Sequence, residues 1–143
     1  MNNMKLTLLI VVIGLSSSYA YLAEKDYGDK LLALTKVWHN KCVVITGVTQ
    51  AQIDELKNGQ FGDNENAKRY ILCLWMFSDV LRPDFTINIP LLKEVMPKKL
   101  VGLTQKYLEC LNDTTSAGTE PYEKTFGIAK CIYNANPEDF LMF

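Results

Sequence analysis

From residue 27 to residue 42 the positions Tyr27, Leu31, Leu34, Trp38 and Cys42 recur at intervals of three and four. That rhythm draws one apolar stripe down a helix, and it predicts a first helix from Tyr21 to about Val44. Thr49-Gln50-Ala51-Gln52 then reads as a capping box, in which the Thr hydroxyl and the Gln amide satisfy one another's backbone ends. A short second helix follows and stops at Asn58-Gly59. Asp63 is placed to cap a third helix running through Asp79, with Tyr70, Cys73, Leu74 and Phe77 on one face. Ile71, Trp75 and Met76 widen that arc, and so broad an apolar face implies contact on several sides. Pro83 breaks the chain, Asn88 and Pro90 open a short fourth helix, and Pro97 ends it. Leu100, Leu103, Tyr107 and Cys110 form the stripe of a fifth helix from about Lys98 to Leu111. The polar run from Asn112 to Thr119 is a loop. Thr119 and Pro121 open a sixth helix, with Tyr122, Phe126, Ala129 and Ile132 spaced for burial and an end near Asn134. Strand periodicity is weak throughout, so the fold class expected is all-α, a compact array of about six helices.

The two ends depart from this pattern. Lys5 precedes the apolar run Leu6 to Leu15, and small residues follow at Ser18-Tyr19-Ala20. This is the form of a secretory signal peptide, and the run is about half of the roughly 20 residues that a membrane-spanning helix needs. The expected organisation is residues 1–20 as signal peptide and residues 21–143 as a single domain, secreted into extracellular fluid. At the other end, Phe140-Leu141-Met142-Phe143 places four apolar residues where polar sequence is usual. Either the tail packs over the core, or it closes a cavity, or it meets a partner.

Without Lys5, 14 Lys and Arg stand against 16 Asp and Glu. Such a balance, with the basic residues scattered, supplies no electrostatic reason to expect nucleic acid or an anionic membrane as partner. Four cysteines, Cys42, Cys73, Cys110 and Cys131, lie 31, 37 and 21 positions apart. In a secreted chain an even count reads as two disulfides, with three pairings open. Zinc favours closely spaced cysteines or a histidine partner, and only one histidine occurs, so neither a metal nor any other cofactor is expected.

Catalytic chemistry has little to use. His39, beside Trp38 and near Cys42, lacks a positioned partner of the kind that general acid–base catalysis requires. No nucleophile elbow, phosphate loop or zincin motif occurs, and the chain is expected not to be an enzyme. Asn112-Asp113-Thr114 is an N-glycosylation sequon, and Asn112 serves equally well as a helix end without a sugar.

Short helices in this order, with cysteines on the first, third, fifth and sixth, resemble the pheromone and general odorant-binding proteins of insects over the whole chain after residue 20. Thr46-Gly47-Val48-Thr49 at the first link and Leu72-Cys73-Leu74 on the third helix extend the match. The six-cysteine form of the family has a further cysteine four positions before its third and another nine before its sixth. Arg69 and Tyr122 stand at those places, and joint loss of that pair is the mark of the four-cysteine, minus-C branch. The resemblance implies pairing of Cys42 with Cys73 and of Cys110 with Cys131. By chain entropy each bond is worth about 3 to 4 kcal/mol. It also implies an internal hydrophobic cavity whose walls are carried over by position to Trp38, Ile71, Leu74, Met76, Phe85, Leu92, Val95, Leu103, Tyr107 and Ile128, with Phe140 and Phe143 from the tail.

Tyr107 could offer a hydroxyl to an alcohol, aldehyde or ester. Aromatics and methionines make walls that tolerate varied apolar guests. The function implied is reversible carriage of small hydrophobic odorants, pheromones or similar semiochemicals, in olfaction or a related transport role, by a monomer or weak homodimer. A guest of ten carbons gains roughly 8 kcal/mol from burial before ordering costs, which sets a micromolar scale. The competing expectation is a secreted helical interaction factor that docks a protein partner through its apolar tail. An exposed tail over a filled interior would favour that second reading.

Overall fold

The computed structural model describes residues 21–113 and 120–142. The expected signal peptide at residues 1–20, the stretch 114–119 with Thr114 and Thr119, and the proposed wall residue Phe143 lie outside the described residues. Among the described residues six α-helices are present: α1 (Asp29–Thr46), α2 (Gln50–Lys57), α3 (Glu65–Phe77), α4 (Ile89–Val95), α5 (Thr104–Asn112) and α6 (Pro121–Ala135). Three 3₁₀ segments among the same residues, Glu24–Asp26, Lys98–Leu103 and Pro137–Asp139, join or flank them. Among the described residues extended pairing is limited to one bridge, Leu81 with Ile87, so the fold is all-α.

Local chemistry explains where the helices begin and end. Thr49 accepts a hydrogen bond from the Gln52 amide while the Gln52 side chain accepts from the Thr49 amide, closing the capping box of α2. Asn64, rather than Asp63, caps α3 by accepting from the Ala67 amide, because Asp63 is engaged by the Lys68 ammonium. The first helix starts later than its stripe suggests: Gly28 sits at φ +79°, outside helical geometry, and separates α1 from the turn at Glu24–Asp26. Gly47 ends α1 in the left-handed conformation, which glycine adopts without the steric cost of a β-carbon. The expected fifth helix is two segments. Pro97, Leu100 and Leu103 repeat every third residue, which matches the three residues per turn of a 3₁₀ helix, and the α-helix proper begins at Thr104.

Helix α3 is the centre of the array, packed against α1 on one side and α6 on the other. Tyr70 and Ile71 of α3, both fully buried, meet the core with Leu31 and Trp38 of α1 and with Phe126, Ala129 and Ile132 of α6. Two disulfides frame this layer. Cys42–Cys73 ties α1 to α3, and Cys110–Cys131 ties α5 to α6, with Cα–Cα distances of 5.7 and 5.6 Å.

Arg69 and Tyr122, the places of the absent third bond, face one another across the α3–α6 junction. The Arg69 guanidinium lies 4.7 Å from the centre of the Tyr122 ring and also pairs with Glu65 one turn back. Lys68 crosses the same junction to Glu123 at 2.8 Å. A cation over an aromatic face contributes about 0.5–1 kcal/mol at an exposed site, well below a disulfide, so at this point of the junction a weaker and reversible contact stands where the covalent bond would be.

Candidate functional site: an apolar cavity closed by the C-terminal tail

The inner faces of these helices leave a cavity of about 80 Å³. From α3 and its C-cap it is bordered by Ile71, Leu74, Trp75 and Ser78, positions i, i+3, i+4 and i+7 that share one face of a helix. Leu31 and Trp38 come from α1, Ala129 and Ile132 from α6, and Tyr107 from α5. Leu92 and Val95 of α4, with Met96 behind it and Val80 from the turn after α3, form another side. Phe140, Leu141 and Met142 complete the wall from the tail.

The tail is held through its backbone carbonyls by donors just before α1. The Leu22 amide donates to the Phe140 carbonyl at 2.8 Å, and the buried Tyr27 hydroxyl donates to the Met142 carbonyl at 2.9 Å. Phe140 and Met142 are 3 % and 4 % exposed. The Phe140 ring meets Tyr133 and Phe61 edge to face, with centroids 5.2 and 6.1 Å apart, and Phe61 continues the cluster to Phe126. Such pairs add about 0.5–1.5 kcal/mol each beyond simple burial. Gly59 makes room for this cluster: at φ +75°, a β-carbon there would lie 2.3 Å from the Tyr133 ring. The ion pairs at the tail, Asp139 with Lys99 at 3.4 Å and Lys99 with Asp26 at 3.8 Å, are half exposed and are worth little.

Of the residues expected as walls, Trp38, Ile71, Leu74, Leu92, Val95, Tyr107 and Phe140 border the cavity, whereas four others do not. Met76 is turned off the inward face of α3 by its one-residue offset from Trp75. Phe85 lies in a surface groove under the Lys124 ammonium, 5.2 Å from its ring. Leu103 packs half-buried against the outside of the core. Ile128, 1 % exposed, is enclosed in the core without bordering the cavity. Of the bordering residues not named as walls, which also include Leu31, Ser78, Ala129 and Ile132, four carry no periodic signal: Val80, Met96, Leu141 and Met142. They lie in turns and the tail, where no periodicity marks an inward face. Trp75 carried a signal in the breadth of the apolar arc on α3.

The cavity holds few polar groups. Ser78 donates to the Trp75 carbonyl and accepts from the Val80 amide, at 2.7 and 3.2 Å. Burial pushes the Tyr107 phenol up to about 12, with Asp139 a lesser cause. Tyr27 and Tyr70 are likewise raised, burial again being the main cause. All three therefore remain neutral donors near neutral pH. His39 lies outside this cavity with its Nδ1 2.8 Å from the Tyr70 hydroxyl. Among the described residues no group of acidic, cysteine or histidine side chains is placed to hold a metal ion, and no helix is long and apolar enough to cross a membrane. Asn112, the sequon residue, is exposed at the last position of α5.

The model of the PBP/GOBP family matches residues 24–135. Among solved structures the chain is similar to odorant binding protein 5 of Apis mellifera, with 21 % identity, a TM-score of 0.69, and coverage of 80 % of this chain and 96 % of that one. It is similar also to odorant binding protein 7 of Anopheles gambiae, which has four disulfide bridges and was solved in complex with an azo compound. There the identity is 23 %, the TM-score 0.64, and coverage 78 % and 89 %. A medfly odorant binding protein shows 25 % identity and a TM-score of 0.59, over 72 % of this chain and 88 % of that one. The family match spans well over half of the chain and the fold agrees with it, two disulfides included: the chain belongs to the PBP/GOBP family.

Proposed function

We propose that this protein is a secreted carrier that takes up small hydrophobic molecules, odorants or similar semiochemicals, reversibly in the apolar cavity between α1, α3, α4, α5 and α6. The observation that carries the reading is the direction of the tail. Phe140, Leu141 and Met142 form one wall of the cavity, and the burial of Phe140 and Met142 favours a tail that helps to close the interior over one that is presented to a protein partner. Family membership supports a small-ligand carrier. The azo compound bound to the Anopheles gambiae relative supports an apolar guest of modest size. The same reading takes residues 1–20 as the signal peptide and residues 21–143 as the carrier domain, acting without catalysis or cofactor in extracellular fluid.

The cavity in this form is small. Apolar cavities of about 150 Å³ are known to take benzene, and this one is about 80 Å³. A ten-carbon guest therefore requires the walls to give way, and the adaptable side chains of Met96 and Met142 are the parts able to do so. Displacement of a fluorescent apolar probe by medium-chain odorants tests the reading. Micromolar dissociation constants are expected for the native protein, with loss of probe binding in Leu74→Trp, which fills the cavity from α3. Equal probe affinity in both proteins, each verified as helical, would place the probe on the outside and refute the carrier reading.

A further inference from the structure

Three tyrosines are buried among the described residues, and two of them have their hydroxyls engaged away from the cavity. Tyr27 donates to the Met142 carbonyl, and Tyr70 shares a hydrogen bond with His39. Tyr107 differs. It is 7 % exposed, it borders the cavity from α5, and its ring leans on Trp75 at a tilt of 36°. Among the described residues its hydroxyl has no hydrogen-bond partner. The oxygen is nevertheless not sealed inside protein, since no fully enclosed side-chain oxygen or nitrogen there lacks a partner. It faces open volume. Ser78, the other hydroxyl in the lining, has already committed its proton to the Trp75 carbonyl.

A ligand acceptor that pairs with such a donor gains a net hydrogen bond that a hydrocarbon does not, and a site with one such group discriminates in favour of the ligand that supplies it. We propose that Tyr107 is the specificity-determining residue of the cavity, its hydroxyl donating to an acceptor oxygen on an otherwise apolar ligand, such as a ketone, aldehyde, ester or ether. This rests on the carrier reading and narrows it: hydrocarbons fit the walls but leave the phenol unpaired, whereas a molecule with one carbonyl satisfies it. The phenol stays protonated well above neutral pH because burial disfavours its anion, so the donor is present at any pH the protein meets.

The test compares native protein with Tyr107→Phe, using a medium-chain methyl ketone and the alkane of equal length as competitors against a fluorescent apolar probe. The ketone is expected to bind the variant about five- to tenfold more weakly, the range of one net hydrogen bond, while the alkane binds both proteins within about twofold. The unliganded variant is expected to melt no lower than the native protein, because the substitution removes a hydroxyl that bonds to nothing in the fold. Equal ketone affinity in the two proteins, with both ligands bound, overturns the assignment of Tyr107 and leaves the carrier reading standing. A clear loss of stability in the unliganded variant also overturns it, since the hydroxyl would then be structural. Failure of both ligands to displace the probe from native protein refutes the carrier reading and this proposal with it.

Discussion

Replacing Phe140 by alanine separates the two roles of the tail, because the side chain is shared between core and cavity while the backbone bonds that hold the tail do not depend on it. The ring lost is 3 % exposed and meets Tyr133 and Phe61 edge to face. Deleting a core phenylalanine costs about 3–5 kcal/mol, of which the two ring pairs supply about 0.5–1.5 kcal/mol each. Against a total stability of about 5–15 kcal/mol, the variant stays folded, and at roughly 3–5 °C per kcal/mol for a domain of this length its melting point falls by about 10 °C or more. The Leu22–Phe140 and Tyr27–Met142 bonds persist, so the tail remains in place with a breach in the wall. A guest then loses about 1 kcal/mol of contact, and the probe leaves about fivefold faster. Chemical denaturation supplies the first number and stopped-flow displacement the second. An unchanged release rate in a destabilised variant would mean that Phe140 fills the core without bounding the ligand. An unchanged stability would refute the aromatic cluster as the anchor of the tail.

Further predictions concern the frame and its titration. Arg69→Cys combined with Tyr122→Cys is expected to close a third disulfide across a loop of about 50 residues, worth roughly 4 kcal/mol by chain entropy less about 1 kcal/mol for the lost cation–π contact. The melting point should rise by about 10 °C under oxidising conditions, and two thiols that remain reactive after refolding would show that the helices stand too far apart. Gly59→Ala is expected to lower stability by at least 1–2 kcal/mol, since the new β-carbon meets the Tyr133 ring and the left-handed backbone disfavours it; an unchanged denaturation midpoint contradicts this. In alkali, the raised pKa values of Tyr27, Tyr70 and Tyr107 mean that their contribution is full below the unfolded phenol value near 10 and is lost as pH rises towards the folded values. Ultraviolet titration should therefore show these phenols ionising together with loss of helicity, and their ionisation in a fully helical protein would refute their burial. In acid, the lowered pKa values of Asp63, held by Lys68, of Asp84, held by Thr86, and of Glu94, held by Lys30, give contributions present above the unfolded carboxylate range and lost as pH falls through the folded values. Loss of stability attributable to these groups should begin only below about pH 5, and a melting curve that already declines between pH 7 and 6 would need another cause.

Much of the fold was legible because its elements are periodic. The stripe Leu31, Trp38 and Cys42, the face Ile71, Leu74 and Trp75, and the spacing of Phe126, Ala129 and Ile132 each report a buried helical surface without reference to anything else in the chain. The capping box at Thr49 and the stop at Gly59 are local in the same sense. What the pattern did not disclose depends on tertiary placement. Gly28 in a left-handed backbone delays α1 although Tyr27 continues its stripe, and Pro97, Leu100 and Leu103 suit a 3₁₀ turn as well as an α-helix. At the cavity, Val80 and Met96 come from non-repeating turns, while Ile128 and Ala129, adjacent in sequence, differ in whether they reach the open volume. That difference is set by the neighbours each side chain meets. The inward course of the tail was one option among three in the sequence, and the bonds from Leu22 and Tyr27 that fix it join the two ends of the domain.

Carriage as proposed depends on one step, the uptake and release of one small apolar molecule by the cavity. Native mass spectrometry of the protein secreted from eukaryotic cells, with its disulfides intact and a medium-chain ketone added in modest excess, measures this directly. A mature chain beginning at Tyr21 is expected, with a shift in mass corresponding to one bound ketone, lost on gentle activation and greatly diminished in Leu74→Trp. Retention of the unliganded mass at all ketone concentrations, or the same adduct on Leu74→Trp as on the native protein, would contradict uptake by the cavity.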